Sequence, residues 1–257
     1  IMLPHYTPLK VAECFRMLHA LYPGRVDLGI GRAPGGGPVE ALALKRERKT
    51  PMPDDFPDQV AELLAFLGRS FPPEHPFARI QVSPYTAGGP DVWMLGSSMW
   101  SSAAAVEFGL PYSFAHFFSP IHTRMAIETY RRNFRPSAYR TEPEATVAVG
   151  VICAETEDEA EFLASSVRLL QVRIRQGDRS PIASPEDAIR ELRLLRGVPM
   201  EEGEWPRYFV GTPARVREQL EGMAEALGIG ELIVNTILWS QSARLRSYEL
   251  LAQVFQL

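Results

Sequence analysis

Residues 145–170 read ATVAVGVICAETEDEAEFLASSVRLL, and this stretch decides the fold class. Its first part, 145–155, is an almost unbroken apolar run, which predicts a strand buried on both faces. Thr156 then stands as a helix cap ahead of three acidic residues, and a helical apolar pattern continues to Leu170. A buried strand that leads directly into a helix is the unit from which parallel α/β sheets are built.

The same alternation of strand and helix recurs along the chain. Further strands are predicted at 1–3, 26–30, 91–97, 112–116 and 231–237, and the first of these looks like the end of a strand cut short. Helices are predicted over 8–22, 58–67, 101–108, 120–134, 211–227 and 243–255, with helical stretches near 185–196. This order implies a mostly parallel sheet with right-handed crossovers, either an open doubly wound sheet or a barrel.

A single domain is predicted over 1–257, with an insertion at about 36–90. The chain has 257 residues, 46% of them hydrophobic, and can bury a substantial core. The segment predicted as an insertion is rich in proline and in charged residues, and it contains one convincing helix, at 58–67.

Charge and cysteine content narrow the class of partner. The net charge is −4 and the 27 basic residues are spread along the chain, so no basic stripe indicates nucleic acid or a membrane surface. Only two cysteines occur, Cys14 and Cys153, which is typical of a protein of the reducing cytoplasm. The five histidines lack metal-ligand spacing, and no apolar run of about 18 residues suggests a membrane span. We expect a cytoplasmic protein that acts on small molecules and holds no metal.

A glycine-rich loop, GIGRAPGGG at 29–37, follows the strand at 26–30. Loops at the carboxyl ends of parallel strands are where α/β proteins bind ligands, although a simple surface loop is an equally good interpretation. The glycine spacing fits neither a dinucleotide-binding fingerprint nor a phosphate-binding P-loop. Arg32 is the more specific feature, because an arginine at a strand end can present a cationic fork to a phosphate. The alternative is a surface salt bridge.

A second candidate lies in LGSSMWSS, at 95–102, where a strand leads into a helix. The hydroxyl groups of Ser97, Ser98 and Ser101 cluster at the helix N-terminus, which attracts anions. The alternative is that these serines only cap the helix. A serine nucleophile elbow is excluded, because Trp100 stands where the second glycine should be. His116 ends the strand at 112–116 and is a weak catalytic candidate, a satisfied core histidine being the alternative.

Three segments together resemble the luciferase-like monooxygenase family of flavin enzymes: LPHYTPLKVAECFRMLHALYPGRVDLGIGRAPG at 3–35, VWMLGSSMWSSAAAVEFGLPYSFAHFF at 92–118 and RLRSYELLA at 244–252. The resemblance implies a (β/α)8 TIM barrel. In that barrel the strand at 26–30 is the fourth and the strand at 231–237 is the eighth. Residues 1–3 are then the end of the third strand, and the first two strands are lacking, together with the segment that supplies the family's catalytic histidine.

The resemblance also implies a cofactor site for reduced FMN. Arg32 falls on the family's phosphate-binding arginine, and the turn with Gly96, Ser97, Ser98 and Ser101 falls on the hydroxyl-rich turn that holds the same phosphate. Gly31 falls where luciferase has a reactive cysteine, so that thiol is absent. His116 falls on an aromatic residue that contacts the isoalloxazine ring.

The function implied by the resemblance is a monooxygenase that uses reduced FMN and dioxygen to oxygenate a small organic substrate. A separate flavin reductase would supply the reduced FMN, the loop 33–52 would act as a lid, and a homodimer is the expectation. Two alternatives stay open within the superfamily, an oxidoreductase that uses a deazaflavin coenzyme and a catalytically silent flavin-binding barrel. A barrel that binds another phosphorylated ligand at the same serines is the least specific interpretation.

Overall fold

The computed structural model describes residues 1–33, 37–44, 54–195 and 203–257. Strands and helices alternate over most of the chain, as predicted. The strands are β1 (Asp27–Ile30), β2 (Asp91–Gly96), β3 (Tyr112–Ala115), β4 (Ala145–Cys153), β5 (Tyr208–Gly211) and β6 (Leu232–Asn235). The helices are α1 (Pro8–Leu21), α2 (Pro38–Leu44), α3 (Phe56–Gly68), α4 (Met99–Phe108), α5 (Thr123–Asn133), α6 (Glu157–Arg175), α7 (Pro185–Leu194), α8 (Pro213–Leu227) and α9 (Gln241–Phe255).

The strands form a parallel α/β sheet, which confirms the predicted fold class at that level. The strand order is β1-β2-β3-β4-β5, and β6 pairs with β4. In β1 and β2, Asp27 pairs with Asp91 and Ile30 with Met94. The central strand β4 is parallel both to β5, where Gly150 pairs with Tyr208, and to β6, where it pairs with Asn235.

The chain divides into two compact units, residues 1–113 with 129–144 and residues 114–128 with 145–257. In the first unit α1 packs against α3. Val11 on α1 and Phe56, Val60 and Leu63 on α3 are buried because their apolar side chains recur at helical spacing. The helix α3 therefore belongs to the core of this unit, whereas the prediction that 36–90 is an insertion stays a prediction.

A buried arginine ties α1 to the segments around it. Arg16 is only 3% exposed, and its Nη1 donates to the carbonyl oxygens of Gly88, at 2.6 Å, and Thr86, at 3.3 Å. Its Nη2 donates to the carbonyl of Leu67, near the end of α3. Because all these acceptors are main-chain oxygens, a single side chain fixes the path of the loop that leads from α3 towards β2.

In the second unit β4 supplies the core, with eight of its nine residues buried. Ile152 packs with Ala164 and Val167 of α6 and with Leu238. The helix α9 covers the strand as well, since Ser247 accepts a hydrogen bond from the backbone of Cys153 at 2.9 Å. The near-continuous apolar run that decided the fold class is thus explained by burial on both faces.

Three local features differ from the sequence-based prediction. β5 was missed because only four residues form it and two of them, Tyr208 and Val210, are half-buried, so no apolar run stands out. α2 was also missed. Residues 1–3 were predicted as a strand end, and Met2 forms a single parallel bridge to Gly31, after which a short 3-10 helix begins at Leu3. Within the described ranges, no helix is long and apolar enough to cross a membrane.

Candidate functional site

The carboxyl ends of β1 and β2 lie side by side and bring the predicted phosphate-binding residues together. Ile30 pairs with Met94, so Gly31 and Arg32 on one strand and Gly96 and Ser97 on the other follow at the same edge. A Cβ atom at Gly31 would lie 3.5 Å from the carbonyl oxygen of Leu95, which shows how closely the two backbones approach. Parallel strands place their loops at one edge, where α/β proteins bind ligands.

Helix α4 begins at this edge, and Ser101 stabilises its first turn. Ser98 is the N-cap residue, with extended backbone angles. Ser101 Oγ donates to the carbonyl of Ser98 at 2.7 Å and also accepts from the Ser98 N–H at 3.4 Å. Ser101 is 4% exposed. Its hydroxyl group is therefore engaged in capping, the structural role left open by the sequence, while Ser97 is half-buried and Ser98 exposed.

A buried tyrosine supports the same turn from β3. The Tyr112 hydroxyl lies 2.9 Å from Ser101 Oγ and donates to the Ser98 carbonyl at 3.4 Å. Burial strongly raises the pKa of Tyr112, so the phenol stays neutral and available as a donor. Gly96 completes the arrangement, because a Cβ atom there would overlap the side chain of Ser101. The start of α4 is a preformed cradle in which glycine is required.

The contacts of Arg32 fit both roles considered for it, which are phosphate binding and a surface salt bridge. Its guanidinium carbon lies 3.9 Å from the centre of the Trp100 ring, and Nη1 donates to Asp54 Oδ2 at 2.9 Å. The side chain remains 42% exposed. Arg32 thus forms a surface salt bridge, yet its charged fork stays accessible beside the start of α4. Sequence reasoning missed Asp54, which no motif marks, and treated Trp100 only as the residue that excludes a nucleophile elbow.

His116 is placed as a satisfied core histidine. It is fully buried, with Nε2 3.0 Å from the carbonyl oxygen of Pro206 and Nδ1 2.7 Å from Thr123 Oγ1. Burial lowers the pKa of His116, which favours the neutral ring. Because a carbonyl only accepts, Nε2 carries the proton in that neutral ring. The Thr123 hydroxyl beside Nδ1 also donates to the Pro120 carbonyl at 3.0 Å. The ring orientation is set by protein contacts, and a contact with a flavin stays a prediction.

Two other expectations can be placed on the structure. The loop 33–52 predicted as a lid lies largely outside the described residues, and the part that is described contains α2. Among the residues that the structure describes, no group of three or more histidine, cysteine, aspartate or glutamate side chains could hold a metal ion.

Comparison with known proteins decides the family. Residues 1–230 match the family described as luciferase-like monooxygenase. The chain belongs to the luciferase-like monooxygenase family. A luciferase-like monooxygenase of Escherichia coli (strain K12) is 35% identical over 256 residues, which are 99% of this chain and 74% of that protein. Family membership indicates an oxidoreductase of the monooxygenase type, with a small-molecule substrate and dioxygen.

Solved structures of other proteins share the fold of this chain. The crystal structure of apo-MsnO8 has 44% sequence identity and a TM-score of 0.86, covering 99% of this chain and 75% of that one. The fold is shared by the oxygenating constituent of 3,6-diketocamphane monooxygenase from Pseudomonas putida, solved with FMN, at a TM-score of 0.62 and 19% identity over 98% of this chain and 76% of that one. It is also shared by an F420-dependent secondary alcohol dehydrogenase, at a TM-score of 0.56 and 12% identity over 97% of this chain and 75% of that one. Neighbours in fold therefore bind FMN or F420.

Proposed function

We propose that this luciferase-like monooxygenase binds reduced FMN, with the phosphate group held between Arg32 and the start of α4, and oxygenates a small organic substrate with dioxygen. The observation that carries the proposal is the accessible guanidinium of Arg32 beside the cradle at Gly96 to Ser98. A cationic fork and a helix N-terminus at one sheet edge are the chemistry that a phosphate requires.

Each residue at this edge has a separate task in the proposal. Arg32 donates charge-assisted hydrogen bonds to the phosphate, and Ser97 and Ser98 donate from their hydroxyl groups. Gly31 and Gly96 let the ligand approach the backbone, and Gly31 leaves no thiol beside the flavin. Ser101 acts as a positioning residue, because its hydroxyl group is committed to the Ser98 backbone.

Bound reduced FMN supplies the electrons that activate dioxygen, and the protein contributes binding, orientation and exclusion of water. A separate flavin reductase supplies the reduced cofactor. In the (β/α)8 barrel of this proposal, β1, β2, β3, β4 and β6 take the places of the fourth to eighth strands. Contact between His116 and the isoalloxazine ring, a homodimer and a cytoplasmic location belong to the same proposal.

A deazaflavin coenzyme is the second candidate cofactor, favoured by the shared fold of the F420-dependent alcohol dehydrogenase. Both cofactors carry a phosphate, so the Arg32 site alone does not separate them. A binding titration with each cofactor separates the two candidates, because their ring systems differ in absorbance. A silent flavin-binding relative would bind FMN and give no turnover with any reductase.

The test is an anaerobic titration with reduced FMN of the wild-type protein, Arg32→Ala and Ser98→Ala. We expect Arg32→Ala to weaken binding about 10- to 100-fold and Ser98→Ala about 3- to 10-fold. Ser184→Ala is the matched control, since Ser184 also caps a helix, α7, and lies in the other unit. Unchanged affinity in Arg32→Ala would refute the phosphate site, and saturable binding of the deazaflavin coenzyme alone would replace FMN.

A further inference from the structure

Arg32 belongs to a cluster whose other members have no assigned role in phosphate binding. The cluster consists of Arg32, Asp54, Phe56 and Trp100, and we call it the Arg32 cluster. It joins three segments of the first unit, namely the loop after β1, the start of α3 and the first turn of α4. Two of its contacts hold the guanidinium group, one through charge and one through an aromatic ring.

Trp100 holds the plane of the guanidinium group. Arginine stacks on an aromatic face through both cation–π attraction and planar contact. The indole is itself fixed, because Phe56 packs edge-on against it, with ring centres 5.6 Å apart and planes at 64°. Phe56 is fully buried. The aromatic pair therefore forms a platform against which the guanidinium group lies.

Asp54 binds one end of the charged fork of Arg32. Its Oδ2 accepts from Arg32 Nη1 at 2.9 Å, while its Oδ1 accepts from the backbone N–H of Phe56 at 3.4 Å. The carboxylate is thereby anchored at the start of α3 and presents one oxygen to the arginine. A carboxylate and a phosphate compete for the same donors of a guanidinium group, since both offer anionic oxygens to its fork.

The ion pair between Arg32 and Asp54 is one that a competing anion can break at little cost. The side chains of Arg32 and Asp54 are 42% and 54% exposed, and exposed ion pairs contribute little to stability because water screens them. A phosphate dianion carries more charge than a carboxylate and also meets the N-terminus of α4.

We propose that Asp54 competes with the ligand for Arg32. In the free protein Asp54 holds the Arg32 guanidinium over Trp100, and the phosphate of the ligand displaces Asp54 from it. The proposal rests on the function proposed above and adds a specificity element to it. Asp54 lowers the affinity of Arg32 for every anion, so only a dianion that also contacts the start of α4 displaces it. Trp100 is a positioning residue that acts through Arg32.

The first experiment compares Asp54→Asn with the wild-type protein by titration with oxidised FMN and with riboflavin, which lacks the phosphate. Asparagine keeps an oxygen for the Phe56 N–H and removes the charge. We expect Asp54→Asn to bind FMN about three- to tenfold more tightly and riboflavin as the wild type does. Asp187→Asn is the matched control, because Asp187 forms an exposed ion pair with Arg190 on α7. We expect Trp100→Ala to weaken FMN binding, and Trp100→Phe to restore most of it.

A second measurement separates this proposal from the proposed function. Arginine side-chain NMR follows the Arg32 signal during titration with inorganic phosphate, in the wild type and in Asp54→Asn. We expect phosphate to shift the signal at lower concentration in Asp54→Asn.

If FMN binds equally to Asp54→Asn and Asp187→Asn, the competitor proposal is wrong and the proposed function stands. If no variant binds FMN but phosphate binds Asp54→Asn more tightly, the competitor proposal stands and the proposed function fails. No phosphate response at Arg32 in either protein overturns the competitor proposal.

Discussion

The hydroxyl group of Tyr112 lies 2.9 Å from Ser101 Oγ, and both side chains are buried, so a tyrosine on β3 supports the first turn of α4. Tyr112→Phe keeps the ring and removes the hydroxyl. We expect the free energy of unfolding to fall by about 1–2 kcal/mol, because a buried partner of Ser101 is lost. FMN binding should weaken about two- to fivefold, since the cradle loosens.

Tyr130→Phe is the matched control for this change. Tyr130 is also fully buried and packs beside the Tyr112 ring, but its hydroxyl donates to the Leu110 carbonyl at 2.9 Å and not to the first turn of α4. Urea denaturation should show a similar loss of stability in both variants, whereas only Tyr112→Phe should alter FMN affinity. Equal FMN affinity in the two variants would mean that Tyr112 stabilises the fold alone.

Replacement of glycine by alanine should have opposite effects on the free energy of unfolding at Gly96 and at Gly222. A Cβ atom at Gly96 would overlap Ser101, so Gly96→Ala must displace the first turn of α4. We expect a loss of about 1–3 kcal/mol in the free energy of unfolding and loss of most FMN affinity. Gly222 lies in α8, where no atom falls within 4 Å of an added Cβ. Gly222→Ala should therefore stabilise the protein by up to about 1 kcal/mol, measured by thermal or urea unfolding. A stabilised Gly96→Ala protein would contradict the described packing.

Replacement of Arg16 should cause a large loss of stability, although Arg16 forms none of the described surface ion pairs. Arg16→Ala leaves the main-chain oxygens of Leu67, Thr86 and Gly88 without their donor. We expect the free energy of unfolding to fall by about 2–4 kcal/mol in urea denaturation. Arg25→Ala, at an exposed arginine, should change it by less than about 0.5 kcal/mol. Comparable effects of the two substitutions would show that Arg16 does not clamp the loop.

Cys153 makes stability fall at alkaline pH. Burial raises the pKa of the Cys153 thiol to about 11, from an ordinary value of 9.0. The folded state favours the neutral thiol. The stability that depends on this neutral form is fully present below pH 9 and is lost as the pH rises through 11. We expect the free energy of unfolding to drop by about 2 kcal/mol across that window, relative to Cys153→Ala measured in parallel.

Thiol titration at pH 8 should label the exposed Cys14 and spare Cys153. A stability difference that does not change between pH 9 and 11 would contradict the raised pKa.

The strand and helix pattern was predictable wherever burial is strong. β4 is apolar along nearly its whole length because both of its faces are covered, and α6 begins at a threonine that caps it. β5 escaped detection because a four-residue strand with half-buried positions carries too little pattern. Short strands owe their existence to pairing, here with β4, and pairing partners leave no mark in the local sequence.

The site was predictable in its backbone and less so in its side-chain partners. The glycines and serines at the strand ends mark the cradle because turn chemistry is local. Asp54 is separated from Arg32 by 22 positions and meets it only in the fold, so no spacing indicates the pair. For His116, a catalytic role and a core role were both compatible with the sequence, and the contacts with Pro206 and Thr123 could be found only from the structure.

The clamp formed by Arg16 also bears on how this protein can diverge. Its acceptors are carbonyl oxygens, which every amino acid provides, so the side chains at positions 67, 86 and 88 are not what the arginine selects. The backbone shape matters instead, because Gly88 has φ of +75°, a conformation that residues with a side chain rarely adopt. The contacts of Arg16 therefore leave relatives free to change the residue at position 86, whereas Gly88, with its positive φ, should tolerate few substitutions.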